Sequence, residues 1–420
     1  MLRNRNFVLL WLAQCVSAAG DTFSFLAIAI RIDNIYADPG SSARALSLVL
    51  IAYALPVLII GIFAGTLVDR WDRKWVMIGS DLARAALAPA FLFLKTSADL
   101  PLAVGAAFLL AATSVFFYPA RTALLPVIVE KDQLMTANGW MQVGNTIARL
   151  SGPILAGIVV ARWGTNIAFW VDAASYLISA AFVIGIVGVT TRIVAGTDQK
   201  RSAWKDLAEG IRFALSSRLI KGITFGIAVG MLGLGALNVL FVPFLRHIFG
   251  VSAEALGGIQ AAQGAGMLIG GLILGSLGRK LSPLSVAIAG MILLGLGVGL
   301  FGLAPVYSVA LIAAPIIGFS IAPINASLQT LLQRGVPLEM LGRAGSVMDM
   351  SISLANIVSM GLAGLLGAAI GLRQVFLGGG VLIILGGLIM GGLLRGEESE
   401  SRKEEGSDRM SVIKDVKVPA

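Results

Sequence analysis

Asp21 and Arg149 carry the chemistry that stands out first in this 420-residue chain. A carboxyl group binds and releases a proton, whereas an arginine keeps its charge at any relevant pH. Side by side they would make a proton switch: protonation neutralises Asp21 and frees Arg149. A static ion pair, or an Asp21 that bonds local backbone at a bend around Gly20, is the plainer use of the same residues. Arg149 also ends a polar series, Asn138, Gln142, Asn145 and Arg149. Their i, i+4, i+7, i+11 spacing puts all four on one face of a helix. Asp349, Ser353 and Asn356 form a partial counterpart later in the chain, and Gln260, Gln263, Asn325 and Gln329 add further polar groups. Such groups can line a path for a solute, or they can bond packed helices to each other.

The elements that must position these residues are apolar. Hydrophobic residues make up 57% of the chain and charged residues only 13%, against about 25% charged in a soluble domain. Continuous apolar runs of about 20 residues each suffice to cross a bilayer. Twelve such stretches can be read, the first at 7–32 and the last at 374–394. The 51 glycines suit helices that pack closely in lipid. At 1.5 Å per residue, Asp21 and Arg149 each lie about 20 Å from the same end of their spans. Ionisable groups at that depth are costly and mark functional candidates.

The net charge of +9 reports topology. Of the 32 Lys and Arg residues, Arg31, Arg44, Lys95, Arg162, Arg246 and Arg373 fall on one side of the spans, Arg84, Arg121 and Arg149 fall within them, and the rest fall on the other side. By the positive-inside rule that other side is cytoplasmic, with both termini on it. A multi-pass protein of a bacterial cytoplasmic membrane is expected. No basic patch with interleaved aromatics points to nucleic acid. One cysteine (Cys15) and one histidine (His247) offer no disulfide and no metal cluster, so no cofactor or metal is expected. The first span is longer than a signal peptide's apolar core and has no A-x-A cleavage site, so it reads as a retained helix. With no nucleophile–base set and no Gly-Lys-[Ser/Thr] loop, the chain does not read as an enzyme.

The longest polar interruption, 191–218, separates a six-span bundle at 1–190 from a second at 219–395. Within it Trp204, Leu207, Ala208, Ile211 and Leu215 follow helical spacing, as in an amphipathic helix on the membrane surface. Residues 396–420, rich in Glu, Ser, Lys and Arg, read as a disordered cytoplasmic tail. The halves repeat each other weakly. Val129–Asn138 aligns with Val336–Gly345, a register that sets Asp349 opposite Gln142 and Asn356 opposite Arg149. Two parallel six-helix repeats are a transporter plan, with the substrate site between them.

The run Gly65-Thr66-Leu67-Val68-Asp69-Arg70-Trp71-Asp72-Arg73-Lys74 resembles the G-x-L-x-D-R-x-G-R-K signature of the major facilitator superfamily, with Asp72 in place of a glycine. The resemblance implies an all-α membrane protein of twelve transmembrane helices in two pseudo-symmetric bundles. It also implies a cytoplasmic gate made by Gly65, Asp69, Arg70, Arg73 and Lys74, with Arg343 as partner. Arg121 joins that gate or merely extends its charge to the membrane surface. Phe117–Pro126 and Ser151–Gly157 resemble the macrolide-efflux and siderophore-exporter branch. Proton-coupled efflux of a small amphipathic, drug-like or siderophore-like compound follows, with protons and membrane lipids as partners and a monomer as the unit. A lysophospholipid flippase of the same superfamily is the alternative. Asp81 and Arg84, one helical turn apart, read as a structural pair; Asp172 reads as bonding a helix end or a neighbour. His247 reads as a surface residue and Cys15 as packing.

Overall fold

The computed structural model describes residues 3–68, 71–188, 211–213, 215–277 and 281–415, in backbone only at 62–63, 65–66, 131, 277, 338–339, 341–343, 346 and 395–415. Asp69, Arg70 and residues 191–210, which hold most of the expected amphipathic helix, lie outside them.

Among the described residues there are helices and no strands. They are α1 (Arg5–Ile35), α2 (Pro39–Val68), α3 (Arg73–Leu87, continued by a 3₁₀ turn at Ala88–Phe93), α4 (Leu100–Ile128), α5 (Leu134–Ile184), α6 (Arg218–Phe249), α7 (Ala253–Leu277), α8 (Pro283–Leu303), α9 (Tyr307–Gly335), α10 (Leu338–Ala369) and α11 (Leu372–Asp415). Among the described residues, eleven helical stretches are long and apolar enough to cross a membrane. At 51 residues, α5 would measure about 75 Å if straight, more than two bilayer cores. It breaks at Gly164, whose φ of 81° is readily open only to glycine. The two arms of α5 are therefore two crossings, and the expected twelve are present.

Local sequence explains the helix ends. Asn4 caps α1 by accepting from the Phe7 amide at 3.1 Å, and Ser217 and Ser282 cap α6 and α8 the same way. Asp72 accepts from the amides of Lys74 and Trp75, satisfying donors that the first turn of α3 leaves open. Its φ of −67° needs no glycine, so the departure from the signature leaves the turn intact. Prolines inside α2, α4, α5, α6 and α9 are tolerated where neighbouring helices satisfy the freed carbonyls. The last helix, α11, runs to Asp415. Its later part has Glu398 four residues before Arg402, a spacing that supports a helix.

We call the end of the molecule bearing the start of α1 the near face, and the opposite end the far face. The two halves meet closely towards the far face. A Cβ on Gly40 of α2 would lie 2.6 Å from the Ala368 backbone of α10. A Cβ on Gly157 of α5 would lie 2.8 Å from the Ala253 carbonyl of α7. Only glycine permits such an approach. Arg246 on α6 donates to Asp33 Oδ2 on α1 at 2.9 Å and to Asn34 at 2.7 Å, and His247 Nε2 lies 3.0 Å from Asp33 Oδ1. The side-chain hydrogen bonds of Arg246 and His247 join the halves at this end.

Candidate functional site

The first half carries a buried polar cluster contributed by α1, α3 and the second arm of α5. Asp81 and Arg84 sit one turn apart on α3 and form a salt bridge, as i, i+3 spacing allows. Ser179 donates to the other oxygen of Asp81 at 2.7 Å. The Arg84 guanidinium lies between two rings, 4.4 Å from the Tyr176 centroid and 4.7 Å from that of Phe117. A flat cation satisfies itself on aromatic faces where water is absent. The Tyr176 hydroxyl donates to Asp21 Oδ1 at 2.5 Å. Beyond it, Ser24 donates to Asp172 Oδ2, while Asp172 Oδ1 has no partner. Asp81, Asp172 and Tyr176 are fully buried, and Arg84 nearly so. Asp21 is only half-buried.

The cluster holds three carboxyls and one fixed cation. Uncompensated charge in a low-dielectric interior is expensive. Neutrality therefore requires two protons, or one proton and a bound cation.

Two cavities flank the cluster, and Asp21 lines both. The central one, about 410 Å³, lies between the halves: Phe25, Leu50, Tyr53 and Asp172 come from the first and Gln260 and Met360 from the second. The other, about 390 Å³, lies towards the near face and is lined by Gln14, Arg84, Arg121, Asn138, Gln142 and Asn145. Its polar wall and the apolar wall of the central cavity meet at Asp21.

The expected site residues divide accordingly. Asn138, Gln142 and Asn145 line the near cavity, and Gln260 lines the central one. Arg149 does not pair with Asp21. It is exposed, and the ion pairs among described residues are Asp81–Arg84, Asp33–Arg246 and Asp33–His247. The reason is azimuthal. The face of α5 turned to α1 is the buried series Ala137, Met141, Gly144 and Ala148, with Gly144 against Cys15 and Trp11. Arg149 is one residue, about 100°, past that face. Gln263, Asn325, Gln329 and Asp349 line neither cavity. Asn356 accepts from Asn238 at 3.1 Å, which bonds α10 to α6.

The gate residues serve the first half. Arg73 donates to the Ala123 carbonyl at 3.1 Å. Lys74 donates to the carbonyls of Ile184 and Ile186 at 2.9 and 2.8 Å, where α5 ends and its carbonyls are open. Arg121 lies 4.5 Å from the Tyr118 centroid. Gly65 and Arg343 are described in backbone only, and Asp69 and Arg70 not at all, so the expected latch between the halves falls outside the described residues. Sequence reasoning missed Tyr176, and it read the Asp81–Arg84 pair and Asp172 as structural groups unconnected with Asp21. The signal for them was four ionisable or phenolic side chains in otherwise apolar spans, which defaults to function.

The Major Facilitator Superfamily model matches residues 10–236 and 223–419. Among characterised relatives, macrolide efflux protein A of Streptococcus pyogenes is 28% identical, the alignment covering 90% of this chain and 93% of the relative. The enterobactin exporter EntS of Citrobacter koseri is 28% identical over 79% of each chain. Of solved structures, a bacterial homologue of the iron transporter ferroportin superposes with a TM-score of 0.73 at 15% identity, covering 93% of this chain and 98% of the other. A bacterial homologue of the lysosomal transporter Spinster gives 0.71 at 14% identity, covering 93% and 97%.

Proposed function

This chain belongs to the Major Facilitator Superfamily, and from that premise we propose that it exports small amphipathic compounds in exchange for protons by alternating access. Its efflux-protein relatives support the direction. The observation that carries the coupling is Asp21: it is half-buried, bonded to Tyr176, and borders both cavities. A carboxyl so placed can take a proton in one orientation of the transporter and lose it in the other. Arg84 stays charged and holds Asp81, leaving Asp21 and Asp172 as the groups that exchange protons. In this reading the near face is cytoplasmic, because the basic residues concentrate there. The far face is then sealed by the Asp33–Arg246 contact, and substrate enters from the cytoplasm. A monomer in the bacterial cytoplasmic membrane, with both termini inside, is the working unit.

Reconstitution into liposomes with an imposed pH gradient tests this. Gradient-driven movement of macrolides or lipophilic dyes is expected. Gradient-independent flux, or no flux of any of them, removes the proposal.

One observation favours a lipid cargo as the second reading. A groove of about 1050 Å³ between α6 and α10 is lined by Phe225, Leu232, Leu354 and Val358, with Arg218 and Lys221 also lining it. An acyl chain suits such a wall, and a phosphate suits those cations. Movement of a lysolipid that persists in the presence of an uncoupler would select this reading.

A further inference from the structure

The near cavity holds a cation that the buried cluster does not use. Arg121 of α4 lines it together with Asn138, Gln142 and Asn145 of α5. Arg121 is half-buried and takes part in none of the ion pairs among the described residues. It packs against the ring of Tyr118, one turn earlier on α4, at 4.5 Å. A ring covers one face of a guanidinium and leaves its in-plane N–H donors open. Asn138 turns its amide to the Leu134 carbonyl at 2.9 Å. The side chains of Gln142 and Asn145 bond no other described residue.

Depth separates this cation from the acidic cluster. Asn4, at the start of α1, donates to the carbonyl of Ile128, at the end of α4, at 2.9 Å, so those two helix ends are level. By rise per residue Arg121 lies about 10 Å in from that level and Asp21 about 25 Å in. Asp21 is the one acid among the residues lining the near cavity, and it sits at the opposite end. The offset of about 15 Å exceeds the length over which salt water screens a charge. Trp11 of α1 donates to the Trp140 carbonyl of α5 at 2.8 Å, which fixes the level of α5 as well. Gln142 then stands within about 3 Å of the depth of Arg121.

We propose that the near end of this cavity binds an oxyanion, the carboxylate of an organic acid with an apolar body. A carboxylate matches the edge of a guanidinium in a bidentate pair. The Gln142 and Asn145 amides supply further donors to the same anion, whereas a cationic group would meet Arg121 as a like charge. The apolar body extends toward the central cavity, which the near cavity meets at Asp21. This narrows the exporter's cargo to acidic amphiphiles loaded from the near face, and it rests on the exporter reading for that biological role. The binding step itself does not depend on transport.

The test uses the full chain in phosphatidylcholine nanodiscs and fluorescence anisotropy, with the signal of empty nanodiscs subtracted. The probes are dansylglycine, which carries a carboxylate, its neutral glycinamide counterpart, and dansylcadaverine, which carries an ammonium. The wild-type protein is expected to bind dansylglycine about tenfold more tightly than the neutral compound, the discrimination of one well-placed charge contact, with the amine weakest. Arg121→Gln should pull the acid-to-neutral ratio toward one while the neutral compound still binds. Arg121→Lys should keep part of the preference, since a cation remains without the planar fork. Equal binding of acid and neutral probe, tighter binding of the amine than of the acid, or an unchanged ratio in Arg121→Gln overturns the inference. Inorganic phosphate should displace dansylglycine only in large excess; displacement at equal concentration would mark a site for free anions and overturn the organic-acid assignment. Should a variant fail to fold and bind neither probe, the wild-type ranking of the three probes still decides it. Carboxylate selectivity in a protein that shows no proton-driven export would remove the exporter reading and leave this one standing. Proton-driven export without carboxylate selectivity would remove only this one.

Discussion

Arg246 on α6 donates to Asp33 on α1 at 2.9 Å, across the line where the two halves of the molecule meet. His247 and Ser42 approach the same carboxyl at 3.0 and 2.9 Å. Asp33 is 6% exposed, so its charge depends on these partners. Opening the far face must break this contact. Asp33→Asn is therefore expected to shift the equilibrium between near-open and far-open states about tenfold toward the far-open one, as loss of one partly screened charge contact implies. Spin-label distances between the far ends of α1 and α6 would report it. An unchanged distance distribution removes Asp33 from the closure.

Gly157 should act in the same direction by sterics. The 2.8 Å from its would-be Cβ to the Ala253 carbonyl leaves no room for a methyl group. Gly157→Ala forces α5 and α7 apart at the far face at a cost of about 1–3 kcal/mol. Cysteines introduced at that face should label faster than in the parent. Gly105, whose Cβ would meet nothing within 4 Å, is the control position, and Gly105→Ala should leave labelling unchanged.

Asp21→Asn should abolish uphill, gradient-driven export while leaving downhill exchange of substrate. The amide keeps the size and an acceptor for Tyr176 but cannot carry the proton. Full gradient-driven export by this variant would end the coupling role. Tyr176→Phe removes the 2.5 Å hydrogen bond without touching the carboxyl, and should move the pH profile of export while expression stays normal.

Asp81 and Arg84 should behave as a unit. Removing one partner of a buried ion pair costs about 3–5 kcal/mol, because the other charge is left unpaired. Arg84→Gln alone should lower the thermal midpoint strongly. Adding Asp81→Asn should recover most of that loss, since neither residue then carries a buried charge. Additive losses in the double variant would show that the two residues do not stabilise each other.

Much of the architecture was legible from residue order. Apolar length set the number of crossings, and the one apparent shortfall, the 51-residue α5, resolves at a glycine whose φ of 81° turns the chain back. Rise per residue placed Asp21 deep in α1, and i, i+3 spacing paired Asp81 with Arg84. These inferences need only the geometry of one helix. The same geometry defined a polar face on α5, and Asn138, Gln142 and Asn145 do line one cavity.

What the helix period cannot supply is the direction in which a face points. Arg149 shares its stripe with Asn145 yet does not reach Asp21, because the neighbouring Ala137–Ala148 series packs on α1. Tyr176 bonds Asp21 from 155 residues away, on a helix that comes back only after the break at Gly164. No local pattern encodes a contact between side chains on separate helices. Asp21 was therefore marked by its depth in an apolar sequence. Its partner, its place on two cavities and its company of a second aspartate, Asp172, were decided by how α1, α3 and α5 rotate against one another as their small residues close together.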